Sequence, residues 1–132
     1  AAGEPLSVKQ EDIHLQGHAM ECRINAEDPA HHFRPCPGVI EEIHLPGGNG
    51  VRIDTAAYNG YEIPPFYDSM IAKVIVHGRT RQEAIDKMRS TLGELIIDGV
   101  TTNVDFQYEI LDNEDFQAGE ITTDFIPMHF NL

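Results

Sequence analysis

One segment of this sequence is apolar on both of its alternating faces. Residues 69–77 carry Lys73 among the apolar side chains Met70, Ile71, Ala72, Val74, Ile75 and Val76. A strand with two apolar faces is buried on both sides and lies inside a sheet. The segment therefore predicts a central strand, and the rest of the chain must supply its neighbouring strands and a covering layer.

A second predicted strand, residues 18–24, carries a lone arginine. Alternation places Glu21, Arg23 and Asn25 in one polar row and leaves the opposite face apolar. Such a row suits the wall of a cleft. The alternative is a solvated outer face with an ordinary Glu–Arg ion pair.

Glycine and proline divide the middle of the chain. Two extended stretches flank the glycine-rich turn 46–50, and together they predict an antiparallel hairpin over residues 39–54. Neither a Lys-Ser/Thr pair nor a helix follows the turn, so it does not have the pattern of a phosphate-binding loop. Three prolines within residues 29–37 predict an irregular loop before the hairpin.

Helical patterns fill the second half of the chain. Thr80 and Glu83 form a capping box at the start of a helix that we expect to end at Gly99. Its core stripe comprises Ala84, Ile85, Met88, Leu92, Leu95 and Ile96. Shorter helices are predicted from Thr102 and from Asn113.

The two ends of the chain have weaker patterns. Residues 6–13 permit a short helix, and residues 121–132 predict extended or irregular chain. Strands followed by helices indicate an α+β domain, with a small antiparallel sheet that includes a hairpin and packs against two to three C-terminal helices. A chain of 132 residues is long enough for one such domain with its own core.

Charge restricts the class of partner. Twenty-two acidic and nine basic side chains give a formal net charge of −13, which disfavours nucleic acid and anionic membrane surfaces. No apolar run approaches the ~20 residues of a membrane-spanning helix. We therefore expect neither nucleic acid nor a membrane as a partner.

Cysteine and histidine spacing does not predict a metal site. Cys22 and Cys36 have no CxxC or Cys/His ligand spacing, which favours a reducing, cytoplasmic location. His31 and His32 are adjacent, so their side chains point apart in an extended chain, and no third ligand follows at a suitable spacing. A solvated pair of loop histidines is the better interpretation.

Several motifs, in order, resemble one enzyme family. The first is Gly-His-Ala-x-Glu-Cys-Arg-Ile-Asn-Ala-Glu-Asp-Pro at residues 17–29. The others are Pro-x-Pro-Gly at 35–38, Pro-Gly-Gly-x-Gly-Val-Arg at 46–52, Tyr-Asp-Ser-Met-Ile at 67–71 with Lys73, Glu-Leu-Ile-Ile-Asp-Gly at 94–99 and Thr-Asn at 102–103. Together they resemble the C-terminal domain of biotin carboxylases, of the acetyl-CoA carboxylase type. The resemblance implies that residues 1–16 are the tail of a preceding ATP-grasp region and that residues 17–132 are this C-terminal domain.

The resemblance implies an ATP-dependent ligase. Such enzymes use ATP and bicarbonate to carboxylate the biotin of a biotin carboxyl carrier protein, the first half-reaction of acetyl-CoA carboxylase in fatty acid biosynthesis. In the family, the arginine of Glu-Cys-Arg-Ile-Asn faces the ureido oxygen of biotin and stabilises the enolate. Arg23 is thus the candidate catalytic and biotin-binding residue, and arginine suits the role because it stays charged and offers a rigid fork of donors.

An assembly is also implied by the resemblance. Arg52, Asp68 and Lys87 match positions at or near the family's homodimer interface, although Asn49 stands where the family often has Phe. Surface or intradomain charges are the alternative for Asp68 and Lys87. The expected partners are the carrier protein and a carboxyltransferase component.

The family binds ATP and Mg²⁺ or Mn²⁺ in its ATP-grasp domain, none of whose motifs occurs in this sequence. We therefore expect the chain alone to be inactive, with an adenine-side contact near residues 121–125. The start at Ala1 favours a piece of a longer protein. Two alternatives stay open: a non-enzymatic module for carrier docking or dimerisation, and the same domain from a propionyl-CoA, methylcrotonyl-CoA or pyruvate carboxylase.

Overall fold

The structure is a computed structural model that describes residues 2–131, and in this range it contains nine strands and four α-helices. The strands are β1 (His18–Asn25), β2 (Glu27–Asp28), β3 (Arg34–Pro35), β4 (Gly38–Val39), β5 (Glu42–His44), β6 (Val51–Thr55), β7 (Glu62–Ile63), β8 (Met70–Gly78) and β9 (Ile96–Asp98). The helices are α1 (Arg81–Glu94), α2 (Val104–Asp112), α3 (Glu114–Ala118) and α4 (Phe125–His129). The α+β class predicted from the sequence is confirmed.

The main sheet has three antiparallel strands in the order β1-β8-β6. Strand β8 lies in the middle, which confirms the central strand predicted from residues 69–77. Its Val74 and Val76 are fully buried, as are Ile85 and Met88 of α1, which packs on this inner face of the sheet. The core therefore lies between the sheet and α1.

Helix α1 begins at the predicted place. Its N-cap is Thr80, whose Oγ1 accepts a hydrogen bond from the backbone N–H of Glu83 at 3.2 Å. The Glu83 carboxylate accepts from the backbone N–H of Arg79 rather than from that of Thr80. The N-terminus is thus capped as predicted, with the reciprocal bond shifted by one residue.

The predicted end of α1 at Gly99 is wrong. The helix ends at Glu94, and Ile96 and Ile97 enter β9, which pairs with β5. Two consecutive β-branched residues favour a strand over a last helical turn. Ile96 is consequently exposed and does not belong to the core stripe.

The predicted hairpin over residues 39–54 does not form. Strand β4 pairs with β7, β5 pairs with β9, and β6 pairs with β8. Alternation identifies strands but carries no information about their partners, and the turn 46–50 leads the chain from a peripheral ladder into the main sheet. A short antiparallel pair, β2 and β3, occurs instead in the proline-containing segment that was predicted to be irregular.

The ends of the chain differ from expectation in one respect. A short 3₁₀ helix, Gln10–Asp12, lies within the segment that permitted a helix, and α2 and α3 occur where they were predicted. Residues 121–132 were expected to be irregular, yet α4 forms there because Phe125 is buried against Phe116 and His129. Among residues 2–131, no helix has both the length and the apolarity needed to cross a membrane.

Candidate active-site wall

The outer face of the main sheet, opposite α1, carries charged side chains from all three strands. Arg23 of β1 lies opposite Lys73 of β8, which in turn lies opposite Asp54 of β6. Glu21 and Arg52 occupy the next row, on either side of Ile75. The polar row predicted for β1 therefore extends across the whole sheet.

Arg23 projects from this face into solvent. Its side chain is 54% exposed, and its Nη2 atom lies 3.7 Å from Oδ2 of Asp68, which is 67% exposed. At this separation and exposure an ion pair contributes little to stability. Within residues 2–131 no hydrogen bond engages the guanidinium, so its donors can reach a ligand.

Arg52 has a different environment although it lies on the same face. Its Nε and Nη2 atoms donate to Oδ1 and Oδ2 of Asp54 at 2.8 and 2.7 Å. The hydrogen bond from Arg52 lowers the pKa of Asp54, with a smaller contribution from Lys73, and the same bond raises the pKa of Arg52. The Arg52 fork is thus already occupied by a carboxylate of its own strand.

Asp68 joins the site of Arg23, whereas Lys87 does not. Oδ1 of Asp68 accepts a hydrogen bond from the backbone N–H of Met70 at 2.8 Å, which fixes the entry to β8. Lys87 donates from Nζ to the carbonyl oxygen of His77 at 2.7 Å. It lies beside Gly50, where φ is +74° and an added Cβ would meet both groups at 2.6 Å.

Three contacts near Arg23 were missed by reasoning from the sequence. Ser69 donates from Oγ to Glu27 Oε1 at 2.5 Å, and the backbone N–H of Ala26 donates to the carbonyl oxygen of Ser69 at 2.8 Å. These bonds join Ala26 and Glu27, the two residues that follow β1, to the residue after Asp68. The Thr-Asn motif at 102–103 was recognised, but nothing in the sequence indicated that the Asn103 side chain contacts the backbone of Arg23.

Cys22 and the histidine pair at residues 31–32 are not part of this face. Cys22 points into the core, where burial raises the pKa of its thiol to about 12, with a smaller effect from Glu21. His31 contacts Asp28, with Nδ1 2.6 Å from Oδ2. In the part of the chain that the structure describes, no group of three or more His, Cys, Asp or Glu side chains is arranged to hold a metal ion.

An apolar pocket of about 300 Å³ lies behind the start of β1. Ile121, Thr122 and Phe125, from the segment expected to contact adenine, contribute to its lining. Met20 and Leu111 are on its other walls. The segment thus borders a pocket, and an adenine contact there stays a prediction.

Comparison with known proteins decides the family. Residues 21–128, which include Arg23, Arg52, Asp68 and Lys87, match the model of the biotin carboxylase C-terminal domain. The chain belongs to this family. As a biotin carboxylase C-terminal domain, it places the family's Glu-Cys-Arg-Ile-Asn segment on β1, with the arginine on the open face.

Relatives and solved structures agree with this assignment. Biotin carboxylase 1 of Bacillus subtilis (strain 168) is 53% identical over 96% of this chain and 28% of that protein. A pyruvate carboxylase subunit of Methanothermobacter thermautotrophicus is 54% identical over 96% of this chain and 26% of that protein. The biotin carboxylase domain dimer of Hydrogenobacter thermophilus 2-oxoglutarate carboxylase, solved with MgADP and bicarbonate, has a TM-score of 0.95 at 46% identity, covering 97% of this chain and 28% of that one. The chain thus spans about a quarter of the length of these relatives.

Proposed function

We propose that this domain forms one wall of the active site of an ATP-dependent biotin carboxylase, in which Arg23 binds the ureido oxygen of biotin. Bound biotin supplies the ureido nitrogen that receives the carboxyl group. The observation that carries the proposal is the half-exposed guanidinium of Arg23, which stands on an open sheet face with its donors unused within residues 2–131.

The surroundings of Arg23 suit this role. Asp68 holds the guanidinium only at 3.7 Å and in solvent, so a ligand oxygen that gains negative charge competes with it at little cost. The strand beneath is rigid because Cys22 and Ile24, on either side of Arg23 in the chain, are anchored in the core. A preorganised donor of this kind typically contributes on the order of 10²–10³ in rate.

The remaining parts of the reaction come from outside this chain. We propose that an ATP-grasp region, of which residues 1–16 are the tail, binds ATP with Mg²⁺ or Mn²⁺, and that residues 17–132 are the C-terminal domain. Support comes from the solved relative with MgADP and bicarbonate, which is more than three times the length covered here. The carrier protein and a carboxyltransferase component are the proposed partners.

A homodimer of the intact protein, with Arg52, Asp68 and Lys87 at or near its interface, is part of the same proposal. The 2-oxoglutarate carboxylase relative is a dimer, which supports it. Arg52 is 72% exposed even though its fork is occupied, so its outer side is open to a partner. Two free cysteines, Cys22 and Cys36, support a cytoplasmic location.

The acceptor of the carboxyl group belongs to another component. We propose the acetyl-CoA type, and hence fatty acid biosynthesis, on the sequence resemblance. Pyruvate is the second candidate, because the pyruvate carboxylase relative and the biotin carboxylase relative are equally similar to this chain, at 54% and 53% identity. Carboxyl transfer by the intact complex to each acceptor in turn distinguishes the two.

The proposed function is tested by biotin- and bicarbonate-dependent ATP hydrolysis. The intact protein is compared with its Arg23→Ala variant and with the isolated 132-residue chain. We expect an inactive isolated chain and a variant whose biotin-dependent rate falls on the order of 10²–10³, because a charged donor has been lost. Arg52→Ala is the matched control, since it removes an arginine from the same face.

The control variant is expected to retain its biotin-dependent rate per active site. An Arg23→Ala protein with normal biotin carboxylation overturns the assignment and favours the non-enzymatic docking or dimerisation module. Full activity of the isolated chain overturns the division of labour with an ATP-grasp region.

A further inference from the structure

We infer that Asn103 is a positioning residue for Arg23, because its side-chain amide holds the stretch of β1 backbone from which Arg23 projects. The inference rests on the proposed function of Arg23 and adds a second residue to that site. Asn103 is 80 positions from Arg23 in the sequence and immediately precedes α2.

The side-chain amide of Asn103 pairs with two backbone groups on the free edge of β1. Strand β1 is at the margin of the main sheet, where it pairs with β8 on one side. On the other side, Nδ2 of Asn103 donates to the carbonyl oxygen of Arg23 at 3.1 Å, and Oδ1 accepts from the backbone N–H of Asn25 at 2.9 Å. A strand directs the backbone groups of residues i and i+2 to the same side, so one amide replaces a neighbouring strand here.

A third bond makes the attachment rigid. The backbone N–H of Asn103 donates to the carbonyl oxygen of Asn25 at 3.2 Å. The three bonds surround the point between Ile24 and Asn25 where the β1–β8 register shifts. Asn103 is only 5% exposed, so water competes poorly for these bonds.

The side chain of Asn103 is not used to cap its own helix. Although Asn103 is the N-cap of α2, its side chain makes no capping hydrogen bond. Oγ1 of Thr102 accepts instead from the backbone N–H of Val104 at 3.4 Å. Asn113, the N-cap of α3, shows the ordinary arrangement, with Oδ1 accepting from the backbone N–H groups of the two residues that follow Glu114.

An amide is the group that this position requires. The carbonyl oxygen of Arg23 needs a donor and the N–H of Asn25 needs an acceptor, and an asparagine side chain offers both. Aspartate has the same shape, but an ionised carboxylate only accepts hydrogen bonds. It therefore keeps the bond from the N–H of Asn25, loses the bond to the carbonyl oxygen of Arg23, and places two negatively polarised oxygens against each other. A small rotation of the backbone at Arg23 displaces the guanidinium at the end of its long side chain, and misplacement of such a group slows catalysis.

The test compares Asn103→Asp with Asn113→Asp in the intact protein. Both variants replace an N-cap asparagine and add one negative charge, but only the first contacts β1. We expect Asn103→Asp to lower kcat for biotin carboxylation on the order of ten- to a hundredfold, with the KM for ATP and any ATP hydrolysis measured without biotin unchanged. Asn113→Asp is expected to match the unmodified protein, since aspartate is an equally good N-cap.

A double variant separates positioning from a general loss of structure. If Asn103 acts through Arg23, then Arg23→Ala with Asn103→Asp is as slow as Arg23→Ala alone. Asn103→Ser, whose hydroxyl can both donate and accept over a shorter reach, is expected to fall between Asn103→Asp and the unmodified protein. This variant keeps the test decisive should Asn103→Asp fail to fold.

Three results would overturn either the proposed function of Arg23 or the positioning role of Asn103. A normal rate for Arg23→Ala overturns the proposed function itself. If Arg23→Ala is slow but the Asn103 variants carboxylate biotin as fast as Asn113→Asp, the positioning role alone is overturned. Rate losses that multiply in the double variant also overturn it, because they show that Asn103 acts independently of Arg23.

Discussion

The two faces of the main sheet are built from the same strands but have opposite properties. On the inner face, Ile24, Val74 and Val76 have no exposed surface and pack with α1. On the outer face, Arg23 is half exposed and paired only loosely with Asp68. Because neighbours in a strand point to opposite sides, adjacent residues can serve stability and the proposed chemistry separately.

The difference shows how a small domain can hold an exposed charged side chain on a fixed backbone. Arg23 and Lys73 are each flanked along the chain by two buried residues, Cys22 and Ile24 for Arg23 and Ala72 and Val74 for Lys73, so the backbone beneath these solvated side chains is anchored in the core. In the proposed function, one row of the strand supplies stability and the next supplies the side chain that binds biotin. Changes to one face should therefore leave the property of the other nearly unchanged.

The largest contrast is expected in the reactivity of the two cysteines. Cys22 is buried on the inner face, and burial raises the pKa of its thiol to about 12, so it is neutral at pH 8 and inaccessible. Cys36 is only partly buried. Alkylation of Cys22 then needs global opening, which costs about 5–15 kcal/mol in a typical domain. Mass spectrometry after iodoacetamide treatment at pH 8 should show Cys36 modified long before Cys22. Equal rates of alkylation would show that the inner face is not protected from solvent.

The next effect concerns packing on the inner face. Ile24→Ala leaves a cavity beneath α1, and we expect the free energy of unfolding to fall by about 2–5 kcal/mol. Urea titration of the 132-residue chain measures this loss. Arg52→Ala, on the outer face, is the control and should leave the midpoint nearly unchanged. Similar losses in both variants would show that the two faces are not energetically separate.

The smallest effect is a pH dependence on the outer face. The hydrogen bond from Arg52 lowers the pKa of Asp54 in the folded chain below its ordinary value of 3.8. The pair therefore stabilises the fold fully above that value, and this contribution is lost as pH falls through the lower, folded pKa. Urea midpoints measured between pH 6 and pH 2.5 should fall slightly less for Asp54→Asn than for the unmodified chain. An identical pH profile would show that the pair does not contribute.

Local chemistry in the sequence predicted the elements but not how they pair. The apolar segment 69–77, the cap at Thr80 and the alternation around Arg23 each depend on neighbouring residues, and the structure confirms all three. The hairpin over residues 39–54 failed because strand partners are chosen by distant segments, here β7, β8 and β9.

In the candidate site, too, the sequence predicted local features but not the contacts between distant residues. Arg23 was identified from the motif that contains it, and its exposure followed from alternation. Its contact with Asp68 and the attachment of β1 to Asn103 join positions 45 to 80 residues apart, for which a single sequence offers no signal. Alternation gives the face of a side chain, whereas tertiary packing determines which groups meet on that face.

The most direct test of this account uses two adjacent residues on opposite faces. Arg23→Ala and the mild Ile24→Val variant are prepared in the intact protein, and the biotin-dependent rate and the thermal midpoint are measured on the same samples. We predict that Arg23→Ala loses rate on the order of 10²–10³ at an unchanged midpoint. Ile24→Val should keep its rate while its thermal midpoint falls, because the lost methylene lowers the free energy of unfolding by about 0.5–1.5 kcal/mol. A normal rate for Arg23→Ala, or a rate loss that follows the midpoint in both variants, would contradict the account.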